Sequence, residues 1–355
     1  MKVYVLPADA HGCGHYRIAW PSDVLRQQGH DITVMPPKAK SGFLASVGTK
    51  PDGTEVLTSV TIPHDAEVIV LQRPAHRLQP QMISLMRANG IAVVVDMDDD
   101  MSTIHPDNGA YETYSKRGDP NLSWRHAMES CKAATLVTTS TRALQRTYAP
   151  HGRGEVLDNY VPAAYLDFPA ESPPTFGWPG TIKSHPNDLQ MLGTAVRDLV
   201  REGHDFRVVG DGVGVSRILR LAEEPVATGM VKLTDWARVI GTELGVGLVP
   251  LAATHFNTSK SRLKGIEMMA TGTPWISSPR EEYRKLHRES GCGVLADTPR
   301  QWYQAIKRLL TDEVLRKEQA EAGRAYMQSQ TYQANAWRWA QAWQRAFDIQ
   351  RGVSK

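Results

Sequence analysis

Three cationic side chains lie close together near the predicted start of one helix. Lys260, Arg262 and Lys264 fall at the beginning of the segment Asn257–Ala270, whose first residues are of types that cap helices. Cations at a helix N-terminus oppose the helix dipole and one another, so the arrangement costs stability unless an anion occupies the site. A helix N-terminus is also a natural phosphate site. The pattern predicts a phosphate-binding helix, with a solvated basic face as the alternative.

A carboxylate on the same helix, Glu267, lies at the edge of the face predicted to be buried, on the side of Lys260. One interpretation is a structural ion pair with Lys260 or Lys264. The other is a contact with the two ribose hydroxyls of a nucleotide, as acidic residues make in dinucleotide-binding folds. The local pattern leaves both interpretations open.

A second group of chemically capable residues ends a predicted buried strand and consists of Asp96, Asp98, Asp99 and Asp100. An Asp-x-Asp pattern can hold a divalent cation, but the phosphate site predicted above already has cations, so we expect no metal. We expect Asp98 and Asp99 to be catalytic carboxylates that touch a bound substrate. His105, just beyond, is a candidate general base, with a structural role as the alternative.

Gly12 and Gly14 follow the first predicted strand, where glycine lets the backbone approach a ligand. A single Gly-x-Gly fits a structural turn equally well. Arg17, at the start of the next helix, is explained better by an anion or a carboxylate partner than by helix propensity. The Gly210–Gly214 loop departs from the pattern Gly-x-Gly-x-x-Gly, which argues against a nicotinamide site.

Short β-branched runs alternate with helical stretches, as in parallel sheets that are covered by helices and bind ligands at the carboxyl ends of their strands. The alternation breaks at the proline-rich stretch 168–174 and then restarts. We predict an α/β protein of two doubly wound Rossmann-like domains that face each other across a cleft, at residues 1–170 and 171–330. The predicted strands are Val3–Leu6, Ile32–Val34, Glu67–Leu71, Ile91–Asp96, Leu136–Thr139, Thr175–Trp178, Phe206–Val209, Val246–Pro250 and Pro274–Ser277.

The predicted helices are Ile18–Gln28, Gln81–Ala88, Thr141–Tyr148, Asn187–Arg201, Ser261–Ala270, Pro299–Leu309 and a long tail, Asp312–Phe347. Trp337, Trp339 and Trp343 give this tail more aromatic surface than a solvated helix carries, so we expect it to pack against the protein. The stretch Pro36–Thr54 contains Lys38, Lys40 and Lys50 among Gly, Pro and Ser, and is predicted to be a long loop.

The composition is that of a globular protein: 355 residues, of which 41% are hydrophobic and 22% charged. Three widely spaced cysteines fit neither a disulfide framework nor a zinc site. No apolar run approaches the length of a membrane span, so we expect a cytoplasmic protein without membrane insertion. Residues 1–172 hold 16 Lys and Arg against 19 Asp and Glu, and residues 173–355 hold 25 against 19. The positive excess thus lies in the half with the predicted phosphate site.

The segment Phe256–Pro274, followed by Ser277–Tyr283, resembles the donor-site signature of group 1 (glycogen-synthase-like) glycosyltransferases of the GT-B fold. Trp178–Asp188 is similar to the first strand and loop of that family's donor domain. Gly12–Pro21 together with Asp96–Asp100 resembles small phage and bacterial members. The resemblance spans nearly the whole chain, and it implies that a last helix, at about 331–355, crosses back onto an acceptor-side N-terminal domain.

By this resemblance, Glu267 binds the ribose of a nucleotide sugar, and Lys183 and Lys260 bind its diphosphate. Many members carry a glutamate eight positions before the ribose glutamate, where this chain has Ser259, so the resemblance does not specify the sugar. The remaining donor-binding candidates are Gly12, Gly14, Arg17, Gly180, His185, Ser259 and Lys264.

The resemblance implies hexosyl transfer from UDP-glucose as the default donor, with retention of configuration and with no metal or further cofactor. The acceptor is expected to be a hydroxymethylated pyrimidine in DNA, a glycan or a protein side chain. Basic residues in Pro36–Thr54, Arg73–Arg77 and Lys116–Arg125 favour DNA, whereas the net negative charge of residues 1–172 counts against a purely electrostatic grip. The alternatives are a nucleotide-sugar epimerase and a non-catalytic protein that binds sugar nucleotides or nucleic acid.

Overall fold

The computed structural model describes residues 1–37, 44–169 and 171–353. Lys38 and Lys40 of the predicted loop, and Ala170 at the predicted domain boundary, lie outside the described residues. Elements are numbered along the chain. The strands are β1 (Val3–Leu6), β2 (Ile32–Val34), β3 (Leu44–Thr49), β4 (Glu55–Thr61), β5 (Val68–Gln72), β6 (Ala92–Met97), β7 (Leu136–Thr139), β8 (Gly154–Val156), β9 (Thr175–Pro179), β10 (Asp205–Val209), β11 (Val226–Ala227), β12 (Val246–Val249), β13 (Trp275–Ser277) and β14 (Val294–Leu295).

The α-helices are α1 (Gly12–Gly14), α2 (Trp20–Gln27), α3 (Gln79–Ala88), α4 (Tyr111–Tyr114), α5 (Ser123–Ala133), α6 (Arg142–Tyr148), α7 (Ala195–Arg201), α8 (Val215–Leu219), α9 (Leu233–Glu243), α10 (His255–Thr258), α11 (Leu263–Ala270), α12 (Glu281–Ser290), α13 (Pro299–Thr311), α14 (Glu313–Met327), α15 (Tyr332–Asn335) and α16 (Trp337–Arg351). A π-helical turn, His15–Ala19, joins α1 to α2, and a 3₁₀ turn, Leu189–Leu192, precedes α7.

The chain forms two compact units. The first comprises residues 1–104, 111–159 and 332–355, and the second comprises 105–110 and 160–331. The first unit ends at Asn159, before the predicted boundary at 170, and it includes the end of the chain. The short segment 105–110 belongs to the second unit.

The first unit is built on a parallel sheet with strand order β2-β1-β5-β6-β7-β8 among the described residues. All residues of β5, β6 and β7 are buried, which explains why these strands read as continuous apolar runs. Helix α16 packs on this unit, where Trp339 and Trp343 are each 1% exposed. Trp337 is 49% exposed, so the expectation that all three tail tryptophans pack inward is wrong for this one.

The second unit has a parallel sheet with strand order β11-β10-β9-β12-β13-β14 in the described part of the chain. Its core joins the buried faces of β9, β10 and β12 to α7 and α13 through Phe176, Val196, Leu248 and Trp302. The order reverses between β9 and β12, and the crevice at such a reversal is where doubly wound sheets bind ligands.

Several segments differ from their predictions. Pro36–Thr54 is not a loop throughout, because β3 pairs antiparallel with β4 across a turn in which Gly53 has a φ of 82°. The Asp52-Gly53 pair is a recognised hairpin signal that would have identified this turn. The predicted helix Asn187–Arg201 is a 3₁₀ turn followed by α7, with Gly193 at a φ of 54° between them. The tail is likewise divided, into α14, α15 and α16.

Among the described residues, no helix is both long and apolar enough to cross a membrane.

Candidate donor site

The carboxyl ends of β9 and β10 approach each other closely through two glycines. The Gly180 amide donates to the Val209 carbonyl at 3.0 Å. A Cβ on Gly210, whose φ is 138°, would collide with the Gly180 carbonyl, and a Cβ on Gly180 would lie 2.7 Å from the Trp178 ring. Glycine is therefore required at both positions. The resulting surface is bare backbone, which lets a ligand approach the sheet.

Lys264, in the first turn of α11, places its ammonium beside this backbone. A Cβ on Gly180 would lie 3.1 Å from Lys264 Nζ, and the ammonium is 5.7 Å from the centre of the Trp178 ring. Its hydrogen-bonding partner is His185 Nε2, at 3.0 Å. Burial lowers the pKa of Lys264 to about 8, against the attraction of Asp188. This is a cation whose direct partner is a neutral ring.

His185 is held from its other side by Asp188. The carboxylate is 1% exposed, and its Oδ2 lies 3.1 Å from His185 Nδ1. Its Oδ1 accepts from the Ala252 amide at 2.9 Å and from Asn257 Nδ2 at 2.7 Å. Burial, reinforced by Lys264, lowers the pKa of His185 to about 4. The imidazole is therefore neutral at physiological pH.

Asp188 is the last residue of the Trp178–Asp188 segment and was not predicted as a site residue. The signal that could have found it is its i, i+3 spacing from His185 in a turn.

The segment that carries the other predicted cations is two helices instead of one. Thr254 caps α10 by accepting from the Asn257 amide at 3.2 Å, and α11 begins only at Leu263. Ser259 is 5% exposed between them, and its hydroxyl donates to the Phe256 carbonyl at 2.8 Å. The ammonium of Lys260 lies 4.4 Å from the centre of the Phe256 ring.

Arg262 corrects the idea of three cations grouped for one anion. Its guanidinium is paired with Glu289 of α12, and the residue is 5% exposed. This pair holds α11 to α12, so Arg262 has a structural role.

Glu267 is 3% exposed in the middle of α11. Its carboxylate acts to raise the pKa of both Lys264 of α11 and Tyr283 of α12. Lys264 and Glu267 thus lie on neighbouring turns of one helix, as the sequence predicted.

The loop after β9 is supported by the segment 105–110. The Gly109 amide donates to the Lys183 carbonyl at 2.9 Å, and Asn108 Nδ2 donates to the Ser184 carbonyl at 3.2 Å. His105 Nε2 lies 2.9 Å from Asn187 Nδ2, while His105 Nδ1 accepts from the Asp107 amide at 3.2 Å. The Lys183 side chain is exposed. These contacts place the predicted base His105 beside the donor loop, and its catalytic role stays a prediction.

Arg17, predicted to meet a ligand or a carboxylate, lies in the core of the first unit with an exposed fraction of 1%. Its Nε and Nη2 pair with the two carboxylate oxygens of Asp96, at 3.1 and 2.8 Å. Its Nη1 donates to Asn159 Oδ1 at 2.9 Å, and Thr138 Oγ1 donates to Asp96 at 2.7 Å. The carboxylate interpretation is correct, and the expectation of donor binding by Arg17 is corrected because these partners use its donors.

Asp98 and Asp99 both face one guanidinium. Arg73 Nε is paired with Asp98, and its Nη2 lies 3.4 Å from Asp99 Oδ2. Burial would raise the pKa of Asp98, but the attraction of Arg73 outweighs it and holds the pKa below its usual value. The same Nη2 is 3.0 Å from Cys13 Sγ, and burial raises the pKa of that thiol to about 12. The predicted catalytic role of both carboxylates stays a prediction.

The two N-terminal glycines differ in their surroundings. A Cβ on Gly14 would collide with the Asp9 carbonyl, and Asp9 Oδ1 accepts from the Gly14 amide at 3.1 Å. Gly14 is thus needed for the turn. A Cβ on Gly12 would meet nothing within 4 Å, so no close approach of the protein itself explains that glycine.

A cavity of about 920 Å³ opens at the carboxyl ends of β1 and β5 in the first unit. Its wall mixes apolar side chains with amides, hydroxyls and basic groups. The polar residues that line it are Gln72, Arg73, His76, Arg77, Gln79, Thr113, Tyr114, Asn121 and Ser123.

Comparison with known proteins defines the class. Residues 173–312 match the family model described as glycosyl transferases group 1. No curated protein matches the chain.

Solved glycosyltransferases share the fold over nearly the whole chain. Sucrose-phosphate synthase from Thermosynechococcus elongatus has a TM-score of 0.65 at 14% identity, covering 98% of this chain and 99% of that one. WaaG, a glycosyltransferase of lipopolysaccharide biosynthesis, has a TM-score of 0.58 at 13% identity, covering 99% and 100%. An alpha-glucosyltransferase in complex with UDP-glucose and DNA containing an abasic site has a TM-score of 0.60 at 13% identity, covering 98% of each chain.

The fold is therefore that of the GT-B glycosyltransferases. Residues 173–312 match a group 1 glycosyltransferase domain, so the resemblance predicted for Trp178–Asp188 and Phe256–Tyr283, which lie in this range, is confirmed.

Proposed function

We propose that this chain transfers a hexosyl group, glucose by default, from UDP-glucose to an acceptor hydroxyl. One observation carries the proposal: the half-buried ammonium of Lys264 is held by a neutral histidine beside the backbone of Gly180. An ammonium whose nearest partner is neutral keeps its charge for an anion, and the family match to residues 173–312 supports a nucleoside diphosphate as that anion.

In the proposed reaction, the bond between the anomeric carbon and the diphosphate oxygen breaks while the acceptor oxygen bonds to that carbon. The departing UDP gains negative charge, which preorganised cations stabilise most strongly where water is excluded. Lys264 and Lys260 supply that charge, with Lys183 in the loop above, and Glu267 holds the ribose. We propose retention of configuration and no metal. Asp98, Asp99 and His105 are the proposed groups that act on the acceptor hydroxyl, and His105 is the proposed base that takes its proton as the oxygen bonds to the anomeric carbon.

For the acceptor we propose an uncharged, hydroxyl-rich group such as a sugar residue of a glycan, bound in the cavity at the ends of β1 and β5. Three of the basic residues that favoured DNA, Arg73, Arg77 and Arg125, have carboxylate partners. Arg73 faces Asp98 and Asp99, Arg77 is paired with Glu55, and Arg125 Nε lies 3.1 Å from Glu129. Such cations gain little from releasing counterions of a phosphate backbone, whereas the amides and hydroxyls of the cavity match sugar hydroxyls.

The test has two stages. Thermal shift with UDP-glucose, UDP-N-acetylglucosamine, GDP-mannose and ADP-glucose identifies the donor, and UDP-glucose is expected to give the largest shift. Mass spectrometry then follows hexose addition to oligosaccharides, hydroxymethylated DNA and peptides, with oligosaccharides expected to react. Transfer to DNA or peptide alone would replace the glycan acceptor, and stabilisation by none of the donors would overturn the function.

Two variants connect the activity to the site. Glu267→Ala and Lys260→Ala are each expected to abolish detectable transfer while the protein stays folded by circular dichroism. Unchanged turnover in either would count against the proposed donor site. Interconversion of UDP-N-acetylglucosamine without an acceptor would show an epimerase, and donor binding with no turnover or hydrolysis over long incubation would show a non-catalytic protein.

A further inference from the structure

Asp188 is not itself proposed to contact the donor. Both of its carboxylate oxygens nevertheless accept hydrogen bonds, and one of them holds the proposed donor-site residue His185. Oδ2 meets His185 Nδ1, and Oδ1 accepts from the Ala252 amide in the loop before α10 and from Asn257 Nδ2 within α10. Burial would raise the pKa of this carboxyl, but its interactions with His185 and its hydrogen bonds from Ala252 and Asn257 together outweigh burial and lower the pKa. Asp188 is thus ionised and acts only as an acceptor.

The protonation of His185 follows from its two partners. An ionised carboxylate cannot donate, so the ring hydrogen must be on Nδ1. In the neutral ring, Nε2 then carries a lone pair. The Lys264 ammonium has donors and no acceptor, which fits that lone pair at 3.0 Å. The direction of both hydrogen bonds is therefore fixed: Lys264 donates to His185 Nε2, and His185 Nδ1 donates to Asp188.

Such a chain orients a lysine without neutralising it. A free lysine samples many rotamers, and fixing one costs entropy at the moment of binding. A carboxylate placed directly on Lys264 would hold it but would cancel the charge that a diphosphate needs. A neutral imidazole between the two holds the ammonium over Gly180 and keeps the negative charge of Asp188 one ring away.

We propose that Asp188 is a positioning residue for the donor diphosphate, acting through the tautomer of His185 on Lys264. This inference rests on the proposed function, because the anion it serves is the diphosphate of the donor. The charged and titratable groups that face Lys264 are His185 and Asp188 from the loop after β9, and Lys260 and Glu267 from the segment containing α11. Asp188 raises the pKa of Lys264, so its loss is expected to lower the pH at which Lys264 loses its proton.

The test is a double-mutant cycle on UDP binding, measured by isothermal titration calorimetry from pH 6.5 to 9.5. Asp188→Asn is expected to weaken UDP about tenfold at pH 7, the effect of one charge-assisted hydrogen bond. Lys264→Met is expected to weaken it about a hundredfold. The affinity of the double variant for UDP is expected to equal that of Lys264→Met within about twofold, because Asp188 is proposed to act on the ligand only through Lys264. The midpoint of the pH dependence should also move to lower pH in Asp188→Asn.

Asp198→Asn is the matched control, since this carboxylate sits on the surface of α7, 2.9 Å from Arg197, and should bind UDP as the wild type does. If Asp188→Asn fails to fold, His185→Phe replaces it in the cycle, because it keeps the ring and leaves Asp188 with Ala252 and Asn257. Additive losses, or wild-type affinity in either variant, would overturn the role of Asp188. A wild-type protein that does not bind UDP would instead overturn the proposed donor.

Discussion

The two units are built on sheets of the same kind, but Arg17 and Arg73 in the first unit and Lys264 in the second unit have different direct partners. In the first unit, Arg17 pairs with both oxygens of Asp96, and Arg73 faces Asp98 and Asp99. In the second unit, the direct partner of Lys264 is the neutral ring of His185, and the carboxylate of Asp188 lies behind that ring.

The difference separates a structural cation from one that is held ready for a ligand. A bidentate ion pair in the core satisfies both charges, so breaking it costs the protein stability. The ammonium of Lys264 accepts no compensation from its neutral partner, and burial lowers its pKa. A bound anion would compensate its charge. Strongly perturbed groups of this second kind are the ones that mark functional sites.

The largest expected effect is the loss of stability when the buried ion pair of the first unit is removed. Arg17→Met leaves Asp96 buried without its counter-charge, and we expect a loss of about 3–5 kcal/mol in the free energy of unfolding, measured by urea denaturation. Arg207→Met, which removes a half-exposed pair with Asp205 and Glu243, should cost less than about 1 kcal/mol. Equal losses in the two variants would contradict the structural role of the buried pair.

Replacing Lys264 is expected to reduce activity without reducing stability, the reverse of the expectation for Arg17. Lys264→Met removes a half-buried cation, so the melting temperature should stay constant or rise, while kcat falls about a hundredfold. The surface variant Lys317→Met, which loses an exposed contact of 3.9 Å with Glu321, should keep wild-type activity. If Lys264→Met lowers the melting temperature while the folded protein keeps full activity, Lys264 has a structural role and not a functional one.

A smaller change tests the position of the ammonium. Gly180→Ala places a methyl group 2.7 Å from the buried Trp178 ring and 3.1 Å from Lys264 Nζ. Because Trp178 cannot yield without disturbing the core, we expect Lys264 to move and KM for the donor to rise about tenfold. Steady-state kinetics at several donor concentrations measures this, and an unchanged KM would show that the position over Gly180 is unimportant.

The smallest effect is the pH dependence of the wild type. Since burial lowers the pKa of Lys264 to about 8, the ammonium is present below that pH and donor affinity should fall as the pH rises through it. The unfolded chain keeps this proton to about pH 10.4, so the contribution of Lys264 to stability should rise from pH 8 to 10.4. Binding and urea titrations at pH 7, 8 and 9 measure both trends, and parallel trends would contradict the assignment.

Much of the fold could be predicted because short apolar runs carry a strong periodic signal. Val3–Leu6, Ile32–Val34 and Leu136–Thr139 begin and end where the sequence predicted. The predicted helix Ser261–Ala270 corresponds to α11, but the capping residue types at 257–259 were assigned to its start, because residue types and charge do not reveal that Thr254 caps a separate turn. Strand β3 was missed because the Gly, Pro, Ser and Lys residues of Pro36–Thr54 are typical of a loop.

What the sequence by itself determined is the alternation of strands and helices and the glycines at strand ends, since these follow from residue types at short spacing. The assignment of Lys264, Glu267 and His185 to the donor site stays a prediction. Only the tertiary structure decided which cations are paired with carboxylates of the protein. Arg17 and Arg262 find Asp96 and Glu289 at separations of 79 and 27 residues, and His185 meets Lys264 at 79. Charge pairing depends on distances in space that residue spacing along the chain does not contain.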